Sequence, residues 1–270
     1  MCGQAGIIFG AKKRNQKEMD YFRKLFSYLL LRSEARGPHA TGAAWLNRAG
    51  EHNIFKQPVR AREFVDDDAF TDLLKSVNSN TTWLAGHTRW QTRGDARNNA
   101  NNHPIRAGTV IGTHNGTITN ADLLFSRLKL PRFAEVDSEL IFRMADNSLA
   151  GGRIDKEPLA KRLALCKGEM TAVIVSKLDP EVIVLIKGNK PLELRYHKGF
   201  NVIVYASCAD YLESVLAPAN GWGNVPVKEM EMAAFHCSDL MSYSVTPFRL
   251  AGTSKHSSFR RFIIPDEKER

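Results

Sequence analysis

No stretch of this sequence approaches the roughly 20 apolar residues that a helix needs to cross a bilayer. The most apolar strings, 182–186 and 202–206, are only strand-sized, so no membrane partner is expected. A secretory leader is missing too: Gly6-Ile7-Ile8-Phe9 precedes Lys12-Lys13-Arg14, the reverse of a signal peptide's order, and a cytoplasmic protein is the expectation. Cysteine is scarce. Cys2, Cys166, Cys208 and Cys237 form no CxxC pair, which excludes an ordinary zinc site and a disulfide framework; the last three sit in apolar surroundings and read as buried thiols. There is no internal repeat, low-complexity tract or Gly/Ser/Pro linker, so one domain over 2–250 is expected. A tail at 251–270, rich in Ser, Lys, Arg and Glu, should be poorly ordered, with Phe262-Ile263-Ile264 as a docking segment.

What is present is ordinary for a globular chain: 270 residues, 43% hydrophobic, with a formal net charge of +9. Such a field attracts anions. The charges are nevertheless spread along the chain apart from Lys12–Arg14 and Arg260-Arg261, which argues against nucleic acid as the main partner.

Hydrophobic periodicity predicts strands at 6–9, 42–46, 82–86, 109–114, 171–176, 182–186, 202–206, 233–236 and 241–245. Helices are predicted at 16–33, 66–77, 120–128, 138–148, 158–165 and 209–216. Strands come in groups rather than in a βαβα rhythm, which predicts an α+β layered domain. Turn signals at Asp179-Pro180 and His197-Lys198-Gly199 predict an antiparallel meander in the second half.

Four places carry chemistry. Cys2 becomes the chain terminus if Met1 is removed, and its own α-amine, with an ordinary pKa near 8, is then a base beside the thiol. By position alone Cys2 reads more readily as an inert thiol, and only the rest of the chain reverses that. The segment Gly86-His87-Thr88-Arg89-Trp90-Gln91-Thr92-Arg93-Gly94 follows a predicted strand and offers arginine and threonine donors suited to a carboxylate, though a phosphate or nucleic-acid loop would use the same residues. His114-Asn115-Gly116 closes the strand at 109–114, where a side-chain amide and a backbone N–H could face an oxyanion; Asn-Gly is also a common hairpin turn. Asp137 precedes a helix and reads as a cap or as an anion for a substrate ammonium. Arg89 and Asp137 together would hold both ends of an α-amino acid.

These residues resemble a known family. Met1-Cys2-Gly3, Arg36-Gly37-Pro38-His39-Ala40-Thr41-Gly42, Gly86-His87-Thr88-Arg89-Trp90, Asn101-Asn102-His103-Pro104, His114-Asn115-Gly116 and Asp137-Ser138-Glu139 occur in the order of the glutaminase domain of class II glutamine amidotransferases. They are most like the domain at the front of glucosamine-6-phosphate synthases. The resemblance covers roughly 2–250 and implies a four-layer αββα sandwich of the N-terminal nucleophile hydrolase type. It implies that Cys2 attacks the side-chain amide of L-glutamine and forms a thioester, with Asn115 and Gly116 stabilising the oxyanion. Arg89, assisted by Thr92, would hold the α-carboxylate, and Asp137 with the Gly116 carbonyl would hold the α-amine. Arg36 and Gly37 would support the start of the chain, and Trp90 would shield the thioester. His39, His87, His103 and His114 are read as hydrogen-bonding supports, with no metal and no cofactor. No synthetase region follows, so a stand-alone glutaminase feeding ammonia to a separate synthetase or transferase partner is the expectation. Pro38-His39-Ala40, Gln91-Thr92-Arg93 and Asn102 depart from the family pattern, and Arg93 is expected to add positive charge near the carboxylate site. Two other readings are a nucleophile hydrolase of a different amide and a catalytically silent basic interaction module.

Overall fold

A computed structural model describes residues 2–216 and 221–252. Strand β1 (Gly3–Phe9) leads into helix α1 (Gln16–Ser33), the hairpin β2 (Ala40–Asn47) and β3 (His52–Gln57), the short helices α2 (Ala61–Val65) and α3 (Asp68–Ser76), and β4 (Thr81–Arg89). Next come β5 (Ile105–Ala107), β6 (Val110–Ile118), α4 (Ala121–Arg127), α5 (Ser138–Asp146), the short pair β7 (Leu149–Ala150) and β8 (Arg153–Ile154), and α6 (Lys156–Leu163). The chain continues through β9 (Gly168–Ser176), β10 (Asp179–Lys187), β11 (Glu193–His197), β12 (Val202–Ala206), α7 (Ala209–Val215), β13 (Trp222–Asn224), β14 (Glu231–His236) and β15 (Asp239–Pro247).

Two antiparallel sheets stack face to face. One has the order β13-β11-β12-β1-β4-β2-β3 and the other β15-β14-β10-β9-β6-β5. Period-2 alternation sends each strand's side chains to opposite faces. In β1, Ala5, Ile7 and Phe9 pack under α1 with Phe22, Phe26 and Leu29. Ile8 faces the other way and joins Trp83, Ile111, Val173 and Ile203 in the core between the sheets. A third core lies between the second sheet and α4, α5 and α6, around Leu124, Phe142, Leu159 and Ile174. The order helix, sheet, sheet, helix is the expected α+β four-layer αββα sandwich.

Helix α1 shows how sequence produces one of these layers. Asn15 accepts from the Glu18 amide at 2.9 Å and the Glu18 carboxylate accepts from the Asn15 amide at 3.0 Å, a reciprocal cap. Met19, Phe22, Leu25, Phe26, Leu29 and Leu30 then recur on one buried face. Truncating such a fully buried leucine, Leu29, would cost about 2–5 kcal/mol.

The predicted strands all appear; β3, β5, β11 and β13 appear in addition, β5 and β13 being only three residues long, β3 mostly polar, and β11 a five-residue alternation with only two apolar positions. The meander expectation needs correction. The β9–β10 and β11–β12 hairpins form, yet they lie in different sheets, because the chain crosses between layers after Lys187. Asn115-Gly116 is neither a strand end nor a turn. Strand β6 runs on to Ile118, pairing Asn115 with Thr171 and Gly116 with Met170. Of the tail expected at 251–270, residues 253–270 lie outside the described residues; Ala251 donates its amide to Cys166 O at 2.7 Å.

Candidate active site

The alternation that builds the inter-sheet core also builds the site. On β4, His87 and Arg89 follow the inward-facing Trp83 and Ala85; on β6, Thr113 and Asn115 follow Ile111. Just past the end of β12, Ser207 continues the series of Ile203 and Tyr205, and on β1 Gln4 precedes Ile8 by two inward positions. Polar side chains thus replace apolar ones at one end of the sandwich.

They are joined by hydrogen bonds. Ser207 Oγ accepts from the Gln4 amide at 2.7 Å and from Asn115 Nδ2 at 2.9 Å, and donates to Gln4 O at 3.3 Å. One hydroxyl has one donor and two acceptor sites, so Ser207 is saturated. The Gln4 side chain crosses to the other sheet, donating to Thr171 O at 2.9 Å and accepting from Thr113 Oγ1 at 2.7 Å. Asn115 therefore presents its remaining Nδ2 hydrogen from a fixed position. Gly116 has φ +138°, and a Cβ there would lie 2.0 Å from Glu169 O, so only glycine fits.

Cys2 sits just before β1. Its sulfur receives the Trp90 amide at 3.3 Å and lies 3.6 Å from Trp90 O. Burial pushes the thiol's pKa up, opposed by the Trp90 backbone and by the charges of Arg89 and Arg36. Arg36 Nε donates to Cys2 O at 2.8 Å and its Nη1 to Cys208 Sγ at 3.3 Å. Cys208 is therefore half-exposed against a guanidinium, not an apolar buried thiol as the sequence suggested; Cys166 and Cys237 are buried. Gly37 packs its Cα flat against β4, where a Cβ would lie 2.4 Å from Thr88 O.

Arg89 is buried at the end of β4. Nη1 donates to Asn102 Oδ1 at 2.9 Å, and Nη2 donates to Gly94 O at 2.8 Å and to Arg93 O. Nε–H and one Nη1 hydrogen make no bond among the described residues. Burial lowers the Arg89 pKa, while Cys2 and Asp137, both within Coulombic range, raise it. Asn102 also receives Lys56 Nζ on its carbonyl at 2.8 Å, and burial with the Arg89 charge brings Lys56 down to about 8. Asp137 occupies the N-cap position of α5 without capping it; its carboxylate accepts from the Ile118 amide at 2.5 Å. Thr92 is exposed on the loop after β4. Arg93 turns its side chain away to pair with Asp122 at 2.9 Å, so its charge is not left free beside Arg89.

Histidines surround this end. His87 Nε2 bonds His114 O at 3.1 Å, His114 Nδ1 bonds Ser138 Oγ at 2.9 Å, and His39 Nδ1 accepts from the Gln91 amide at 2.9 Å. His103 needs correction as a hydrogen-bonding support. Neither ring nitrogen finds a partner among the described residues, and its ring instead packs on His87 with centroids 4.3 Å apart. Burial holds all three interior imidazoles neutral: His87 falls to about 3, His103 well below its ordinary value, and His114 lower despite Asp137. Among the described residues, no group of three or more His, Cys, Asp or Glu side chains could hold a metal ion.

The site is a thiol, a fixed amide, a strand glycine with positive φ, a buried guanidinium and a carboxylate at one end of an αββα sandwich. No family model matches the sequence. The glutamine–fructose-6-phosphate aminotransferase of Geobacillus kaustophilus is 32% identical over 209 residues, 75% of this chain and 32% of that protein. The chain belongs to the class II glutamine amidotransferase family.

The chain spans about a third of that relative's length. Its fold matches the glutamine phosphoribosylpyrophosphate amidotransferase of B. subtilis with a TM-score of 0.68 at 19% identity, covering 92% of this chain and 49% of that one. A glutamine aminotransferase class-II domain protein from Silicibacter pomeroyi aligns over 91% of this chain and 99% of its own, with a TM-score of 0.54 at 14% identity. The residues missed by sequence reasoning were Gln4, Ser207 and Lys56. A fully buried glutamine opening an apolar strand was the one available signal, and it became meaningful only with the facing sheet in place.

Proposed function

We propose that the chain hydrolyses L-glutamine to glutamate and ammonia through a thioester on Cys2. The observation that carries this reading is the convergence of Cys2, Arg89 and Asp137: Arg89 is within Coulombic range of both others although they are far apart in sequence. A pocket with one guanidinium and one carboxylate suits a free α-amino acid better than an acyl chain or peptide.

Burial keeps the Cys2 thiol protonated at neutral pH, so attack requires a base at the sulfur. Removal of Met1 would supply it as the Cys2 α-amine. That amine takes the thiol proton while sulfur bonds to the amide carbon, and the oxyanion is met by Asn115 Nδ2 and the Gly116 amide. The C–N bond breaks as the α-ammonium returns the proton to nitrogen, releasing ammonia. Water then attacks the thioester, giving its proton to the amine; glutamate leaves and the thiol is restored.

In this reading the free hydrogens of Arg89 hold the α-carboxylate, Thr92 adds a hydroxyl when the loop closes, and Asp137 with Gly116 O holds the α-ammonium. Trp90 covers the sulfur. Ammonia would protonate in open water, so the reading includes a synthetase or transferase acceptor for it. The free thiols suit a cytoplasmic setting, and among the described residues no helix is long and apolar enough to cross a membrane.

The test is ammonia release from glutamine by Met1-processed protein and by Cys2→Ala. The processed protein is expected to turn over and the variant to fall at least about 1,000-fold. Equal rates would end the proposal, and turnover of simple acyl amides but not of glutamine would move it to another amide.

A further inference from the structure

We infer that His39 is a positioning residue that holds the Trp90 amide against the Cys2 sulfur, by gripping the chain on both sides of Trp90. The inference rests on the glutaminase reading only for its kinetic consequence. The geometry stands without it. On the near side of Trp90, the His39 amide donates to Arg89 O at 3.1 Å. On the far side, His39 Nδ1 accepts from the Gln91 amide at 2.9 Å. The two rings lie against each other, with centroids 5.1 Å apart. Between these grips, the Trp90 amide points at Cys2 Sγ at 3.3 Å.

The chemistry fixes the imidazole's state. A backbone N–H can only donate, so Nδ1 must carry a lone pair and the ring proton must sit on Nε2. Strand β4 ends at Arg89, so the sheet ladder no longer constrains the chain at Trp90, which is itself 44% exposed. Gln91, Thr92 and Arg93 are exposed as well. His39 supplies the constraint that the ladder has stopped supplying. It follows β4 from a segment anchored at Gly37, whose close approach to Thr88 allows no side chain. Trp90 can thus be released by losing one side-chain bond, without disturbing β1 or β6.

This makes His39 distinct from the buried histidines. His87 and His114 brace the strand that carries Asn115, whereas His39 acts from the surface on the segment over the sulfur. Its effect should appear in access to Cys2 and in kcat, and not in the affinity for a carboxylate held by Arg89.

The experiment compares His39→Ala and His39→Asn with the parent chain. Asparagine can place Oδ1 near the position of Nδ1 and restore the acceptor, while alanine cannot. The first readout is the rate of Cys2 alkylation by iodoacetamide, followed by mass on the N-terminal peptide, which needs no glutamine. His39→Ala should be alkylated about five-fold faster, the effect of one lost hydrogen bond, and His39→Asn should return to within about two-fold of the parent. The second readout is steady-state glutaminase activity, where His39→Ala should lower kcat several-fold with KM little changed. Unaltered alkylation in His39→Ala, or an asparagine variant that behaves like alanine, would overturn the inference. Absence of glutamine turnover in the parent would remove the proposed function and leave the alkylation result to decide the role of His39.

Discussion

Strands β1 and β6 hold Gln4 and Asn115 by sheet ladders and by a saturated Ser207 hydroxyl, whereas Arg89, the last residue of β4, rests its guanidinium on Asn102 Oδ1 and on carbonyls of the loop that follows. The first arrangement cannot shift without breaking bonds in both sheets. The second keeps its backbone in the ladder with Ala40 and one bond to buried Asn102, and only the Arg93 and Gly94 carbonyls belong to the loop. Groups that must meet a developing charge gain from being fixed before the reaction. Groups that admit and release a substrate gain from being movable. The oxyanion donor is thus fixed across both sheets, while part of the support for the guanidinium comes from a loop.

That comparison can be broken by mutation. Asn115→Ala removes a fixed donor and should lower kcat by about 100-fold or more with KM changing less. Ser207→Ala leaves the donor but frees it, and should lower kcat about ten-fold. Were either change to appear in KM alone, the strand side would not be the chemical side. At the guanidinium, Arg89→Lys loses the planar fork and should raise KM for glutamine about ten-fold with a smaller effect on kcat. A kcat loss from Arg89→Lys matching that of Asn115→Ala would erase the distinction.

Acid sharpens the same contrast through stability. His87, held at about 3, and His103 and His114, held below their ordinary range, bind fewer protons folded than unfolded. A depressed histidine pKa means that stability falls as pH drops below the unfolded value near 6.5, by at most about 1.4 kcal/mol per pH unit for each imidazole. Chemical denaturation at pH 7 and pH 5 should show this loss, and His87→Gln should reduce it. Equal stability at the two values would contradict neutral buried imidazoles. The smallest effect is expected at Arg93→Ala, within about two-fold in KM, since that exposed side chain pairs with Asp122 and not with the site.

Much of the site was legible because its reactive residues are of unusual type for their places: a cysteine beside the start, an arginine among threonines and glycines, an aspartate before a helix. The layers were legible through period-2 and helical patterning. The support was not. Gln4 and Ser207 are bonded across 203 positions, and neither residue type signals that contact. Asn115-Gly116 read as a strand end or a hairpin turn because local propensity favours a turn there, yet pairing with β9 kept the strand extended through it. Pro38-His39-Ala40 departs from the family pattern, and His39, read as a hydrogen-bonding support, accepts from the Gln91 amide in the loop over Cys2.

A glutamine analogue bearing a diazoketone in place of its amide reports directly on whether a terminal sulfur and an amino-acid pocket act together. Mass analysis of the N-terminal peptide should find the analogue on Cys2 in Met1-processed protein, with capture lost in Cys2→Ala and slowed in Arg89→Lys and Asp137→Asn. Capture on another cysteine, or capture on Cys2 that is indifferent to Arg89 and Asp137, would contradict the account.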